Sequence, residues 1–369
     1  MAHPAKRSPR SLVALAGLVM SWSHLVAGAS DWGCNQNNVL NSGTYTQLTD
    51  CVEIRKVTVV NDLSLTGRPG LTTITVKSGY RHFQIGTFPG AKLELKWIKL
   101  TASYVNSGGV KVTDGTLHAI DCWLDQNHNG QGGGIEAIDG VHSPKPTIVL
   151  DHTNITGNIA SGFHGGGVYQ SGGFFTMSGG VVKENSASDS GGGLYFTAST
   201  EVTITNTIIT SNSASRGGGL YLLSVQAVLT RVNLTNNMAQ YGGGGIYVAG
   251  TLQNPASLNA GTCHFYSNSI TTTLTSSNFG GAALQAREEA TIIVRQSAFV
   301  NNYATNGRGH LVYTYTDGES PAVTIVNTKI TLCALCALPT AFWGGKADGT
   351  SNQYQYVSTS TCSSSPCTV

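Results

Sequence analysis

The chain of 369 residues contains little charge. Asp, Glu, Lys and Arg make up 11% of it, and its 21 basic residues nearly balance its 19 acidic ones. Without the first 29 residues the balance is 18 basic against 19 acidic residues. A protein with no excess of either sign lacks the electrostatic attraction that nucleic acids and anionic membranes require, so we expect neither as a partner.

Long apolar runs are also missing beyond the N-terminus. No later stretch approaches the roughly eighteen consecutive apolar residues of a transmembrane helix, so no transmembrane segment is expected. The one short run, Leu12 to Met20, follows the basic residues Lys6, Arg7 and Arg10 and precedes the small residues 27–29. This pattern is typical of a secretory signal peptide. We therefore predict a signal peptide over residues 1–29 and a secreted or cell-surface protein.

Glycine, in contrast, is abundant, with 46 residues, and much of it recurs at a fixed interval. Four blocks of three glycines, an apolar residue and a tyrosine follow one another 26 residues apart, at Gly165–Tyr169, Gly191–Tyr195, Gly217–Tyr221 and Gly243–Tyr247. A period of this length is typical of a solenoid, in which each repeat forms one coil. It is too short for a β-propeller blade, which takes roughly 40 to 50 residues.

A column of asparagines accompanies the glycine blocks. Positions ten, eight and three before each of these asparagines are apolar, as Phe175, Met177 and Val182 are before Asn185. The column consists of Asn127, Asn158, Asn185, Asn212, Asn237, Asn268 and Asn302. Asparagine tolerates positive φ at a tight corner, and stacked amides can hydrogen-bond from coil to coil. This structural role is favoured over a catalytic one.

Apolar residues two apart form the inward face of a short strand, because side chains alternate across it. We therefore predict an all-β, single-stranded parallel β-helix of about ten or eleven coils, each with about three short strands. Residues 30–56 are predicted to form an N-terminal cap, residues 57–336 the β-helix, and residues 337–369 a C-terminal cap or tail held by a disulfide.

Eight cysteines in an exported chain suggest disulfides. Cys34 with Cys51 forms one local set, and a second local set comprises Cys333, Cys336, Cys362 and Cys367. Cys122 and Cys263 occupy one column five coils apart, about 24 Å at ~4.8 Å per coil, so we predict both to be unpaired and partly buried. Cys333 and Cys336 have the spacing of a redox or metal pair, but no second pair accompanies them, so a structural role is favoured and no metal or cofactor is expected.

The tyrosines of the glycine blocks are Tyr169, Tyr195, Tyr221 and Tyr247. They alternate with inward apolar residues, so their rings are expected to point outward and to stack. Two interpretations stay open: the row binds sugar rings or a partner protein, or the rings cover one another and a neighbouring loop.

Two sequons, at Asn154 and Asn233, permit N-glycosylation in a eukaryotic source. Both asparagines lie four residues before a column asparagine, next to an inward position. They are therefore expected to face outward.

The apolar-x-x-Asn elements, strongest at Phe265–Asn268 and Phe299–Asn302, alternate with Gly-Gly-x-apolar blocks. In this the chain resembles the repeats of polymorphic outer membrane proteins and, more widely, the pectin-lyase-like superfamily of right-handed β-helices, over roughly residues 57–335. The resemblance implies right-handed coils, in line with the usual chirality of parallel crossovers, and an adhesive role. The C-terminal membrane barrel of that family is not expected here, because only about 33 residues follow Cys336.

An enzyme is the alternative. Glycoside hydrolysis needs two positioned carboxyl groups, and a lyase needs a base with cationic support. The Asn-Thr-Asp, Asp-Asp and Gly-His-Gly motifs of polygalacturonase-like enzymes are absent, and the glycine blocks lack the aspartate of calcium-binding repeats. One polar cluster could supply a metal or acid/base site, although solvated outward positions are the default for such residues. It comprises Asp121, Asp125, His128, Glu136, Asp139, His142, Asp151, His152 and His164.

We therefore predict a non-catalytic adhesive or surface-recognition protein with carbohydrate or a cell-surface protein as its partner. The alternative is a divergent polysaccharide lyase or glycoside hydrolase of pectin-lyase-like fold. Acids gathered with Lys or Arg in one groove would favour the enzyme, and a surface of Thr, Ser and Tyr would favour binding. Ice binding would need a flat Thr-x-Thr array, and only the rung of Thr203 and Thr205 fits it well.

Overall fold

The fold was analysed in a computed structural model. It describes residues 30–34, 42–53, 55–77, 79–86, 90–102, 108–140, 145–275, 278–306, 308–315, 321–332, 342–344 and 353–361. All pairs of strands in these ranges are parallel, and the ranges contain no helix. The protein is an all-β parallel solenoid of about 10 turns, as predicted.

Each regular turn adds one strand to each of four stacks. Stacks A1 and A2 together form a 23-stranded sheet, stack B is an 11-stranded sheet, and stack C is a 7-stranded sheet. Stack A1 consists of Ser30–Asp31, Gly43–Thr46, Leu63–Thr66, Lys92–Lys96, Thr116–Ile120, Thr147–Asp151, Phe174–Ser178, Glu201–Thr205, Gln226–Thr230, Ala256–Gly261 and Ala290–Arg295. Stack A2 consists of Cys51–Glu53, Thr72–Val76, Ile98–Thr101, Trp123–Asp125, Asn154–Thr156, Val181–Lys183, Ile208–Thr210, Asn233–Thr235, His264–Tyr266 and Ala298–Val300. The strands Ala322–Leu332 and Gln353–Thr361 extend across both stacks.

The other two stacks lie on the return path of each turn. Stack B consists of Val57–Val59, Phe83–Ile85, Val110–Val112, Ile135–Ile138, Val168–Ser171, Leu194–Thr197, Leu220–Leu223, Ile246–Ala249, Leu284–Arg287, Val312–Tyr315 and Phe342–Gly344. Stack C consists of His128–Asn129, Ile159–Ala160, Ser186–Ala187, Ser213–Arg216, Met238–Gly242, Ser269–Ile270 and Tyr303–Ala304. The expected count of three strands per turn is therefore too low, because the short segment after each column asparagine also pairs with its neighbours.

Residues with positive φ mark the bends. Between stacks A1 and A2 they include Asn206 and Arg231, with φ of 51° and 53°. At the end of stack A2 the bend residue directly precedes the column asparagine, as Asn236 does at φ 54°. Positive φ was expected at the column asparagine itself, and this was wrong by one position. The residue before it makes the turn, and the column residue directs its amide into the core.

The core of the solenoid consists of the apolar columns and the asparagine column together. Phe175, Met177 and Val182 are each at most 1% exposed. The column asparagines are also at most 1% exposed, and from Asn127 to Asn302 each Nδ2 donates to Oδ1 of the next at 2.9 to 3.0 Å. A buried amide is stable only when it is hydrogen-bonded, and this ladder provides the bonds for its members except at the Oδ1 of Asn127, which begins the ladder and has no partner among the described residues.

The N-terminal end is closed by Trp32, which is 2% exposed and lies 5.4 Å from Tyr45 between ring centroids. Its indole Nε1 donates to Glu53 Oε1 at 2.6 Å. A disulfide joins Cys34 to Cys51, as predicted. Residues 1–29 lie outside the described ranges. Those ranges contain no helix with the length and hydrophobicity needed to cross a membrane.

The remaining cysteines divide into two groups. Cys122 and Cys263 are free thiols, 3% and 0% exposed, so the prediction that they are unpaired is confirmed and their burial is greater than expected. Cys122 lies in the same inward column as Thr153, and each side chain donates to a backbone carbonyl. Cys333, Cys336, Cys362 and Cys367 lie outside the described residues.

Candidate functional site

The four tyrosines stack along the outside of stack B. Neighbouring ring centroids from Tyr169 to Tyr247 are 5.4, 5.0 and 4.7 Å apart, and the ring planes differ by at most 13°. Tyr195 points away from the core, since its neighbours Leu194 and Phe196 are both 0% exposed and face inward. The alternation in the sequence therefore gives the direction of these rings correctly.

The tyrosine row is nevertheless covered. Tyr195 is 6% exposed and Tyr247 is 2% exposed. His164 lies on the ring of Tyr195 at 4.4 Å between centroids, and Tyr247 hydrogen-bonds Arg287. Burial raises the pKa of all four phenols above their ordinary value. Of the two interpretations left open by the sequence, the arrangement agrees with the second, in which the rings cover one another, although Tyr169 and Tyr221 are only half-buried.

The residues of the predicted polar cluster do not converge on one site. Asp121 and His152 occupy bends with φ of 50° and 47°, His128 begins stack C, and His142 lies outside the described residues. Each of the others pairs with a different partner. Asp125 Oδ2 lies 2.8 Å from Lys99 Nζ, and Glu136 lies 2.7 Å from Arg81 and 3.3 Å from Lys111. Asp139 lies 3.6 Å from Lys145, Asp151 lies 3.0 Å from His118, and His164 lies 3.5 Å from Asp189. Within the described ranges no three His, Cys, Asp or Glu residues are grouped to hold a metal ion.

A different set of residues forms a cleft at the N-terminal end of the A1 face. Its floor is the outward side of adjacent parallel strands, where Thr46, Thr66 and Lys96 lie in one register column. Its volume is ≈ 300 Å³, and we call it the N-terminal cleft. The lining residues used below are Ser64, Thr66, Arg68, Glu94, Lys96 and Trp97.

The wall of the N-terminal cleft is the corner of residues 67–70, which packs against the bend at Trp97. Gly67 permits this approach, because a Cβ there would lie 2.3 Å from the carbonyl oxygen of Trp97. Trp97 itself has a φ of 54° and places its indole at the edge of the cleft. The Nζ of Lys96 lies 4.4 Å from the centroid of that ring, within the range of a cation–π contact.

The charged side chains around the cleft differ in their ion pairs. Arg68 Nη2 lies 3.5 Å from Asp50 Oδ1, and both side chains are more than half exposed. Lys92 Nζ lies 2.9 Å from Glu94 Oε2, and this hydrogen bond holds the pKa of Glu94 below its ordinary value. Lys96 makes no ion pair with a carboxylate in the part of the chain that the structure describes. Beside its hydroxyl-lined floor, the cleft therefore offers one ammonium that contacts the Trp97 ring and has no carboxylate partner among the described residues.

A line of titratable groups leads from the cleft along the A1 face. His118 Nδ1 lies 3.6 Å from Glu94 Oε2, and its Nε2 lies 3.0 Å from Asp151 Oδ2. The imidazole thus lies between two carboxylates, one on the turn before its own and one on the turn after it.

Asp151 was among the candidate residues predicted from the sequence, whereas Arg68, Glu94, Lys96 and Trp97 were not. These residues lie in turns without the regular 26-residue period: Ser64 faces Glu94 across 30 positions of sequence. Without a fixed spacing, no pattern could place them on one face. The clearest signal would have been the local excess of basic residues, which disappears when charge is counted over the whole chain.

The two sequons lie on the outward side of stack A2. Asn154 and Asn233 are both half-buried, and each lies between two buried residues, Thr153 and Ile155 or Val232 and Leu234. The Oδ1 of Asn154 accepts a hydrogen bond from the backbone N–H of Val181 at 3.0 Å. Their orientation agrees with the expectation from spacing.

Comparison of this chain with models of protein families, with curated proteins and with solved structures finds no match.

Proposed function

We propose that the protein is a secreted or cell-surface recognition protein without catalytic activity, and that it binds carbohydrate in the N-terminal cleft. Export is supported by the signal pattern at residues 1–29. An adhesive role is supported by the resemblance of the repeats to polymorphic outer membrane proteins and to right-handed β-helices of pectin-lyase-like fold. The solenoid itself is rigid, which suits a surface that must present a preformed site.

The observation that carries this proposal is the composition of the cleft. A sugar ring has an apolar face bordered by hydroxyl groups, so its site needs an aromatic surface next to hydrogen-bonding groups. Trp97 provides the aromatic group, and Ser64 and Thr66 provide hydroxyls on the floor. Arg68 and Lys96 add charged donors at the edge.

A glycan array with the purified full-length protein tests the proposal. Trp97→Asn removes the indole while keeping a residue that tolerates positive φ, and we expect at least a tenfold loss of binding. Arg231→Asn is the matched control, because Arg231 occupies the same bend column far from the cleft, with a φ of 53°. Equal binding by both variants would show that the cleft is not the site.

The alternative, a divergent polysaccharide hydrolase or lyase, is favoured by one arrangement. Glu94, which lines the cleft, and Asp151 lie on opposite sides of His118. Two carboxylates on either side of a bound sugar chain are what glycoside hydrolysis requires. Release of reducing or unsaturated sugar that is abolished by Asp151→Asn and kept by Asp139→Asn would support this activity. Asp139 is a suitable control because it faces Lys145 instead.

A further inference from the structure

Charge is distributed unevenly along the solenoid, although the whole chain is nearly neutral. Residues 30–111 contain nine basic and five acidic residues, whereas residues 112–369 contain nine basic and fourteen acidic residues. The nine basic residues are Arg55, Lys56, Arg68, Lys77, Arg81, Lys92, Lys96, Lys99 and Lys111. The early turns, which form the N-terminal cleft, are therefore the positive end of the molecule.

Several of these basic residues lie on the outward face of stacks A1 and A2 around the cleft. Lys92 and Lys99 are neutralised by Glu94 and Asp125 at 2.9 and 2.8 Å. Arg68 has only an exposed pair with Asp50, which contributes little in water. Glu94 is already paired to Lys92, and Lys96 forms no ion pair within the described ranges, so Arg68 and Lys96 determine the charge that a ligand in the cleft would meet.

Further basic residues lie on the opposite side of the same turns. On the outside of stack B, Arg81 and Lys111 share the single carboxylate of Glu136. Lys56 donates to the neutral side chain of Gln84 at 2.6 Å. A surplus of one sign on a small region raises the local concentration of ligands of opposite charge and speeds their association.

We infer that the ligand of the N-terminal cleft is an acidic polysaccharide, whose carboxylate or sulfate groups contact Arg68 and Lys96 while a sugar ring packs against Trp97. This inference rests on the proposed function and adds the charge of the ligand to it. A polymer suits the surface better than a single sugar, because the basic residues are spread over several turns at ~4.8 Å per turn. The hydroxyl floor and the indole suit sugar rather than a simple anion.

The experiment compares dextran sulfate with dextran, which have the same sugar backbone with and without charge. Polygalacturonate provides a carboxylate polymer and an oligodeoxythymidylate provides a polyanion without such sugars. At 0.1 M salt we expect the full-length protein to bind dextran sulfate or polygalacturonate at least tenfold more tightly than dextran and oligodeoxythymidylate. The tighter of the two acidic polymers identifies the anionic group. The preference should weaken at least tenfold at 1 M salt, where the screening length falls from ~10 Å to ~3 Å.

The variants locate the site. Arg68→Gln with Lys96→Gln should reduce binding of the acidic polymer at least tenfold, since it removes from the cleft the exposed guanidinium of Arg68 and the half-buried ammonium of Lys96. Arg231→Gln with Lys329→Gln makes the same change of charge on exposed residues of the later turns and should bind as the unchanged protein does.

The outcomes separate this inference from the proposed function. Equal binding of dextran and dextran sulfate, lost in Trp97→Asn, would leave the proposed function standing and overturn the inference about charge. Binding of oligodeoxythymidylate as tight as that of dextran sulfate would overturn it as well, because the surface would then recognise charge without sugar. Acidic-polymer binding that the Arg68 and Lys96 double variant retains would overturn the assignment to the cleft.

Discussion

The asparagine ladder allows a quantitative test of what holds the solenoid together, and Asn237 is its best-placed member. Its Nδ2 donates to the carbonyl of Ile209 at 2.9 Å and to Oδ1 of Asn268 at 3.0 Å. Its Oδ1 accepts from the backbone N–H and from Nδ2 of Asn212, at 3.1 and 3.0 Å. Substitution by Ala would remove these four hydrogen bonds from a side chain that is 0% exposed.

The expected loss follows from the donors left behind. Two N–H groups of Asn212 would remain buried without an acceptor, and each such group costs about 1 to 3 kcal/mol. We therefore expect Asn237→Ala to lower the free energy of unfolding by about 4 kcal/mol. Water entering the space would reduce the loss toward ~2 kcal/mol.

The neighbouring residue provides the control. Asn236 is exposed and has a φ of 54°, so Asn236→Gly keeps the bend and should change the free energy of unfolding by less than ~0.5 kcal/mol. Both variants would be unfolded with denaturant and followed by circular dichroism. Because turns of a solenoid contact only their neighbours, the Ala variant is also expected to unfold in two steps. A loss within 1 kcal/mol of the control would refute the view that the ladder stabilises the fold.

Three other predictions concern stability and reactivity. Burial raises the pKa of Tyr221 above its ordinary value of 10.0. Its contribution to stability should therefore be complete below about pH 10 and decline at higher pH, because the phenol of the unfolded chain ionises first. Ultraviolet titration of the phenols, with denaturation at each pH, measures this, and titration of Tyr221 near pH 10 would contradict it. Replacing both Cys34 and Cys51 by Ala should lower the free energy of unfolding by ~3 kcal/mol, since the disulfide closes a loop of 17 positions. Thermal unfolding of the oxidised protein and of this variant measures the loss, and an unchanged melting temperature would contradict the prediction. Cys263→Ser should lower the free energy of unfolding by less than ~1 kcal/mol, measured by denaturation, because a serine in the same column, Ser297, already donates to a backbone carbonyl. Burial raises the pKa of the Cys263 thiol to about 11, so this thiol in the native protein should resist labelling until the protein unfolds.

The regular part of this fold could be predicted from the sequence because side chains in each column meet copies of themselves. An apolar residue eight before each asparagine, such as Ile204 or Leu229, must face the core if its neighbours above and below do, and both are 0% exposed. The same reasoning identified the amide ladder and the direction of the tyrosine rings. A repeated pattern shows which residues stack on one another in adjacent turns, and the sequence of a single strand does not show this.

The exposure of the tyrosine row could not be predicted in this way. Alternation shows that Tyr195 points away from the core, but not that His164 lies on its ring. His164 occurs once in the repeats, at a position that holds Ser190 and Arg216 in the next two turns. What covers an outward side chain depends on such single residues and on stack C, most of whose strands have only two residues and leave almost no periodic signal.

The candidate site also lies where the repeat gives little information about the structure. In the middle turns, the column residues are committed to the ladder and to the tyrosine row, so a change at one turn disturbs the two next to it. The early turns lack the glycine blocks and the asparagine column, and their corners are free to differ in length, as the corner beside Gly67 does. A recognition site requires unlike residues on adjacent turns, such as Arg68, Lys96 and Trp97. We therefore expect function in this solenoid to lie where the repeat is broken, which is also where its sequence is hardest to interpret.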